Sequence, residues 1–294
     1  MLHDVQSILK KLRVRPSKNR GQHFLINESI RNRIIDLADV KKDEVVLEIG
    51  PGPGVLTGSL AECAEEVLAI EIEPGFAKYL GNWAVDEKLD NVKVIHGDAL
   101  SMDLPQFDVI VSNLPYSIST QVIFKILPLD FKRGVVMVQK EFGERLVAVP
   151  GKETMKGGKI KKRGAPTFKS NYYAEITELF KVPPPAFHPS PEVDSIVLKI
   201  IKRPFPFDLD SKEFYFKLID ILFLHRRRKI RNSLEMGFHS LPQGAGIERS
   251  LVKEIISGES LSEFVNMRPE ELEIHQMVEL ANMLCRSLDK TNDR

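Results

Sequence analysis

Residues 45–57 read VVLEIGPGPGVLT. An apolar run, Val45–Ile49, breaks into three alternating glycines, Gly50, Gly52 and Gly54, and a helical pattern follows through Cys63. A strand that ends in a glycine-rich turn and runs straight into a helix opens a doubly wound α/β sheet, with a ligand at the strand's carboxyl end. The chain around it repeats the alternation. Strand-like runs recur at 67–72, 92–95, 109–111 and 135–138, with helical patterns at 30–40, 75–85, 119–127 and 141–147. Strands separated by helices form parallel βαβ units. Two more strands, 176–181 and 195–201, are joined by VPPPAFHPSPEV, too rich in proline for a helix or a central strand. They predict an antiparallel pair at one edge, completing a mixed sheet of seven strands. Beyond the linker KRPFPFD (202–208) the pattern turns helical. Phe214–Leu224 is expected to continue through HRRRKIRNSLE, Ile247–Ile256 to form another helix, and Arg268-Pro269-Glu270 to open the last. The expected domains are 1–203, a Rossmann-like α/β domain, and 204–294, a small all-helical one.

The glycine loop by itself does not identify its ligand. A dinucleotide loop aims backbone N–H groups at a pyrophosphate. Pro51 and Pro53 have none, and the spacing from Gly52 would require glycine where Thr57 stands. A cofactor without phosphates fits better, and S-adenosylmethionine is the common one. Glu71 ends the second strand, where a carboxylate accepts from ribose hydroxyls, and Asp98 in HGDAL follows the third, where it accepts from an adenine amino group. Taken singly, each acid is equally a strand-end cap. Together with the loop and Asn113 one strand further on, they outline a nucleoside site.

The fourth strand stops at Asn113-Leu114-Pro115-Tyr116. An adenine amino group is a poor nucleophile because its lone pair is delocalised into the ring. Two acceptors on its hydrogens draw the nitrogen toward sp³ and aim the lone pair at a methyl donor. The Asn113 amide oxygen is one candidate. The Leu114 carbonyl, held by rigid Pro115, is the other. Tyr116 offers a face on which the base stacks. The chemistry is orientation, and needs no tuned general base. The plainer alternative is an Asn-Pro turn with a packed tyrosine.

Charge is segregated along the chain. The total is 42 Lys/Arg against 41 Asp/Glu in 294 residues, but residues 10–20, 152–169 and 226–231 hold 18 of the basic residues and one acid, Glu153. Such patches suit a polyanion partner, whereas a single run would read as a solvated face. Cys63 and Cys285 belong to no CxxC pair or Cys/His cluster, so buried thiols in a reducing compartment and no metal are expected. No apolar run reaches membrane-spanning length and the basic N-terminus lacks an apolar core, so the expected location is the cytoplasm.

These residues resemble the ribosomal RNA adenine dimethyltransferase family along nearly the whole chain. GQHFL (21–25) resembles its N-terminal cofactor motif, EIGPGPGVLT its glycine loop, IEIE (70–73) its ribose motif, GDAL its adenine motif and NLPYSIST its catalytic motif. VPPPAFHPSPEVDS (182–195) and HRRRKIRNSL (225–234) are the specific signals, since glycine loops and NPPY-like tetrads occur in many methyltransferases. The resemblance implies S-adenosylmethionine-dependent dimethylation of the exocyclic nitrogen of two adjacent adenines near the end of small-subunit ribosomal RNA. It implies that Gln22, His23, Leu25, Gly50, Gly52, Gly54, Glu71, Asp98, Ala99 and Asn113 hold the cofactor, and that Tyr116 and Phe187 pack against a flipped base. Arg226, Arg227, Arg228, Lys229 and Arg231 are expected on RNA. The expected partner is the assembling small subunit, met by a monomer. One departure stands out. Where the family carries a short YGRLS-like segment, ETMKGGKIKKRGAPTFKSNYY (153–173) is longer and basic. Arg163 replaces the tyrosine and Pro166 the leucine, and Lys159, Lys161, Lys162 and Arg163 become further candidates for RNA. Three rivals share some of these features: the large-subunit adenine methyltransferases of macrolide resistance, a non-catalytic assembly factor on the same fold, and a small-molecule methyltransferase. The arginine-rich stretch, the intact acceptor set and the basic patches favour the small-subunit reading over each in turn.

Overall fold

The computed structural model describes residues 5–13, 16, 21–147, 163–225, 227–242, 244 and 248–292. The chain forms two compact units, residues 1–144 with 174–203, and residues 145–173 with 204–294.

In the first unit the elements are α1 (Val5–Leu12), β1 (Phe24–Leu25), α2 (Glu28–Ala38), β2 (Val45–Ile49), α3 (Thr57–Ala61), β3 (Glu66–Glu71), α4 (Pro74–Asp86), β4 (Val92–His96), β5 (Val109–Asn113), α5 (Ser119–Ile126) and β6 (Arg133–Gln139). After α6 (Lys140–Leu146) and α7 (Ala165–Tyr173) come β7 (Ala174–Val182), β8 (Phe187–His188) and β9 (Ser195–Lys202). Seven strands form one sheet in the order β4-β3-β2-β5-β6-β9-β7. The first five are parallel, while β9 is antiparallel to both β6 and β7, with β7 at the edge. The central strands are buried on both faces, as their unbroken apolar runs require. Local signals set the helix ends. The Asn27 side chain accepts from Ile30 N–H at 3.0 Å to start α2, and Pro74 takes the first turn of α4, where no N–H is needed. A second sheet has only two strands, β1 and β8, pairing Phe24 with His188 and Leu25 with Phe187. It ties the GQHFL stretch to the proline-rich segment.

The second unit contains α7, α8 (Lys212–Leu224), α9 (Ile230–Gly237), α10 (Arg249–Ser257) and α11 (Ile274–Asn292) around a core that includes Phe168, Phe214, Phe238, Phe264 and Leu288. Ser211 caps α8 by accepting from Phe214 N–H at 3.2 Å. Two expectations are corrected here. The helix does not run on through HRRRKIRNSLE: α8 ends at Leu224 and α9 begins at Ile230, after Lys229 in extended backbone. A continuous helix would stack like charges one turn apart. The break instead buries Ile230 and lets the Ile230 and Arg231 N–H groups reach the carbonyls of Met267 and Val265 at 2.9 and 3.1 Å. Arg268-Pro269-Glu270 does not open the last helix. Pro269–Glu271 is a single 3₁₀ turn, in which Arg268 N–H donates to the Glu271 carboxylate at 2.6 Å. Leu272 then turns extended and is buried, and α11 starts at Ile274. Among the described residues no helix is long and apolar enough to cross a membrane.

At the amino-terminal end of the sheet, Glu44 is buried just before β2 and receives both Arg133 terminal nitrogens at 2.7 Å. Arg133 also reaches the carbonyls of Ala38 and Asp39, binding α2 to β6. The Arg133 hydrogen bonds, opposed by burial and aided by Lys41 N–H, lower the Glu44 pKa from 4.5 to about 2. A carboxylate depressed in this way adds stability that is complete above the unfolded value and is lost as pH falls through the folded one. Glu44→Gln should therefore cost about 2–3 kcal/mol at neutral pH. The loss should shrink as pH falls from 4.5 toward 2. Urea unfolding of both proteins across that range checks the sign.

Candidate active site

The sheet order changes direction between β2 and β5, and at their carboxyl ends the connections diverge to leave a crevice. Ser112, buried in β5, donates to the Ile49 carbonyl of β2 at 2.6 Å and holds the two strand ends together at the point of divergence. The glycine loop leaves from there. Gly50 and Gly52 have φ of +70° and +56°, conformations that side chains resist. A Cβ on Gly50 would lie 3.0 Å from Pro115 Cγ, and one on Gly52 would lie 2.7 Å from the Phe24 ring. The loop is therefore a cradle with Pro115 against one glycine and Phe24 against the other. The cleft it borders has a cavity volume of about 190 Å³.

Glu71 closes β3 and is buried. Its two carboxylate oxygens accept from Gly52 N–H at 2.9 Å and Glu73 N–H at 2.8 Å, so the acid also shapes the loop. Burial raises its pKa, and those two N–H groups oppose the rise. Asp98 Oδ1 accepts from Leu100 N–H at 2.9 Å, and among the described residues Oδ2 has no partner. Ile72 is 52 % exposed and lines the cleft beside these acids. Glu71 and Asp98 are among the lining residues, and among the described residues no Lys or Arg is. A phosphate would meet repulsion there, and a cation would meet attraction.

Asn113 ends β5. Its Nδ2 donates to the His23 carbonyl at 3.0 Å, which fixes the sense of the amide and leaves Oδ1 as an acceptor. Leu114 N–H donates to Met137 O at 3.1 Å, and its own carbonyl has no donor among the described residues. Two acceptors thus stand on adjacent residues, both neutral. Tyr116 is half-buried. Its ring lies 5.1 Å from that of His23, and its hydroxyl pairs with Ser195 Oγ. Burial raises the phenol's pKa, so it stays protonated.

Of the residues expected to hold a cofactor, Gln22, His23, Gly50, Gly52, Glu71, Asp98, Ala99 and Asn113 line the cleft with Leu114, Pro115 and Tyr116. Leu25 and Gly54 are not among the lining residues. Leu25 is buried in β1, and Gly54 lies in the loop with its N–H on Pro51 O. Phe187, expected against the target base, is buried in one apolar cluster with Leu25, Met137 and Val197 and does not line the cleft. Arg227, Arg228, Lys229 and Arg231 are exposed around the start of α9. Arg226, Lys159, Lys161 and Lys162 lie outside the described residues. Arg163, expected on RNA, has its guanidinium committed within the second unit, to Leu272 O at 2.6 Å and Glu273 at 2.7 Å. Among the described residues no group of His, Cys, Asp and Glu could hold a metal ion. Glu48 and Ile72 were missed. Each breaks a pattern that could have exposed it: an acid inside an apolar strand, and an apolar residue where a strand end should turn polar.

The ribosomal RNA adenine dimethylase family model matches residues 14–267. A probable ribosomal RNA small subunit methyltransferase A of Methanosarcina acetivorans is 38 % identical over 280 residues, 95 % of this chain and 97 % of that protein. The solved dimethyladenosine transferase of Plasmodium falciparum superposes with a TM-score of 0.72 at 26 % identity, covering 92 % of this chain and 98 % of that one. The 23S rRNA methyltransferase ErmE superposes at 0.65 and 23 % identity, covering 89 % and 99 %, and shares the fold.

Glu48 lies in β2 beneath the loop and is buried, accepting from the Thr57 hydroxyl at 2.7 Å. Burial raises its pKa from 4.5 to about 8, against the Thr57 hydrogen bond and with a further push from Glu71. It is therefore neutral at pH 7. A carboxyl raised by folding adds stability below its unfolded pKa that is lost as pH rises through the folded one. Wild-type stability should fall between pH 4.5 and 8 by up to one proton's linkage more than that of Glu48→Gln. Paired denaturation curves at intervals across this range measure that slope difference.

Proposed function

The chain belongs to the ribosomal RNA adenine dimethylase family, and on that premise we propose that it dimethylates the exocyclic N6 of two adjacent adenines near the 3′ end of small-subunit ribosomal RNA. Its substrate is the assembling small subunit, and it works in the cytoplasm as a monomer. The methyl group comes from S-adenosylmethionine, which supplies an electrophilic methyl on a cationic sulfur. The cleft suits this cofactor: its lining carries carboxylates and, among the described residues, no Lys or Arg, Pro51 and Pro53 offer no N–H to a phosphate, and Gly50 and Gly52 bring bare backbone to its wall. Glu71 is assigned to the ribose, Asp98 Oδ2 to the adenine amino group, and Ile72 to the adenine face.

The observation that carries the reading is the sense of the Asn113 amide. With Nδ2 engaged by the His23 carbonyl, Oδ1 is left to accept one hydrogen of a target amine, and the Leu114 carbonyl accepts the other. Holding both hydrogens turns the nitrogen's lone pair out of the ring and toward the methyl. Both acceptors are uncharged, so neither demands desolvation of a carboxylate beside the reacting atoms. In each transfer the N6–CH3 bond forms as the S–CH3 bond breaks, and one N6 proton leaves to solvent. Tyr116 supplies a stacking face. The large-subunit alternative finds its example at lower identity than the small-subunit relative.

Labelled S-adenosylmethionine and unmethylated small subunits test the proposal. The label should map to adjacent adenines. Asn113→Ala should lose on the order of 10²-fold or more in turnover with its fold intact. Near-normal turnover by that variant would sink the mechanism. Arg227, Arg228, Lys229 and Arg231 are proposed as phosphate contacts. Replacing all four with Gln should weaken RNA binding and flatten its salt dependence by about 0.7–0.9 log units per lost contact for each tenfold change in salt. Cofactor affinity, measured by calorimetry, should stay as in wild type.

A further inference from the structure

The lip that carries His23 is bound to the segment 186–195 through more than its two-residue ladder. Ile26 N–H donates to Ala186 O at 2.8 Å, and His23 Nδ1 lies 2.8 Å from Pro189 O. A carbonyl only accepts, so Nδ1 carries the proton and the ring is fixed in orientation. The peptide whose carbonyl sets the sense of Asn113 thus has its own side chain anchored on the far segment. The same ring packs on Tyr116. Tyr116 is in turn held by Ser195, which is completely buried at the start of β9, between Gln139 of β6 and Val182 of β7. From the other side Gly21, at φ +60°, brings its backbone so close that a Cβ would lie 2.9 Å from Ser117 N.

We propose that the proline-rich segment is a template for the amine-binding face: through His23 and Ser195 it sets the orientation of Asn113 and Tyr116, making His23 and Ser195 positioning residues for the target base. This rests on the proposed function for its meaning and on the hydrogen bonds for its mechanism. An Asn amide has nearly the same shape either way round, and the productive sense requires the acceptor to face the amine. The His23 carbonyl selects that sense only while it keeps its place. Residues 21–23 belong to no helix or strand, and the imidazole anchor is one restraint on their tilt. The Tyr116 hydroxyl plays the matching part for the ring, because its bond to Ser195 stops rotation of the stacking face away from the base.

The test separates positioning from cofactor binding and from folding. His23→Ala and His23→Phe should lower kcat about 10-fold. The affinity for S-adenosylmethionine should change less than about threefold, a difference too small for a lost charged contact. His23→Asn, which keeps a short donor, should recover most of the loss. Ser195→Ala and Tyr116→Phe should each lower kcat by a similar factor, and the double variant should fall no further, as for two partners of one interaction. A second readout needs no RNA. The Asn113 side-chain amide protons, followed by NMR, should exchange slowly in wild type and His23→Asn and faster in His23→Ala and His23→Phe. Equal exchange in all four, or an additive Ser195/Tyr116 pair, overturns the proposal. So does loss of melting temperature with kcat per folded molecule unchanged. If wild type transfers no methyl to small subunits but the exchange pattern holds, the functional reading fails and the template stands.

Discussion

The site exists because Ile49 and Ser112 are held side by side while the chains leaving them part. Parallel strands pair through their backbones, and at the end of a sheet nothing in that pairing says where the chain goes next. The Ser112 hydroxyl on the Ile49 carbonyl extends the contact by one side chain past the last ladder pair, Leu47 with Ile110. From that pin the glycine loop turns one way and Asn113-Leu114-Pro115 the other. The missing side chain at Gly50 lets Pro115 stand against the loop, so the Asn113–Tyr116 turn and the cradle are packed as one object. A methyl donor and a methyl acceptor held by separate loops would need such a pin, since sub-ångström errors between reacting atoms are costly.

The two ends of the sheet handle carboxyl groups in opposite ways. At the amino end Glu44 is buried with a fork-like partner in Arg133 and stays ionised to about pH 2. At the carboxyl end Glu48 and Glu71 are buried with hydroxyl and backbone donors, and both are pushed upward. Backbone N–H groups carry no full charge, so they reduce the desolvation penalty without cancelling it. Glu48 resolves the conflict by remaining protonated, which spares Glu71 a further negative charge from β2. One end is built for stability over a wide pH range. The other is left electrostatically incomplete.

Much of this was legible in the sequence, for identifiable reasons. Long apolar runs between helical patterns gave the strands of the main sheet, because burial on both faces leaves a strong signal. Three glycines and an Asn-Leu-Pro-Tyr turn marked the two loops, since each needs residue types that little else explains. What stayed hidden was short or tertiary. The β1–β8 pair has two residues on each side, too few for a period, and Phe187, expected against a flipped base, is buried in the apolar cluster beside that pairing. Arg163 looked like one more cation in a basic run, while its partners lie over a hundred residues away. The break after Leu224 was masked by good helix formers, and only the burial of Ile230 against later chain explains it. The link from His23 to Pro189 joins two stretches that were each recognised, but a single sequence does not show which residues of two motifs touch.

A cleft lined by carboxylates raises a question about its proposed substrate, because RNA is a polyanion. The acids that suit a sulfonium repel phosphates, so attraction to RNA has to come from elsewhere on the chain. Three short runs carry 18 of the 42 basic residues, which is where such attraction is concentrated. What enters the cleft must then be the uncharged part of the nucleotide. Neutral acceptors at Asn113 and Leu114 and a protonated tyrosine suit a base that has left its stack. On the proposed function, the charges that would suit the cofactor would also exclude the backbone and admit the base, so the field that favours the methyl donor would help decide which atoms of the RNA come within reach of it.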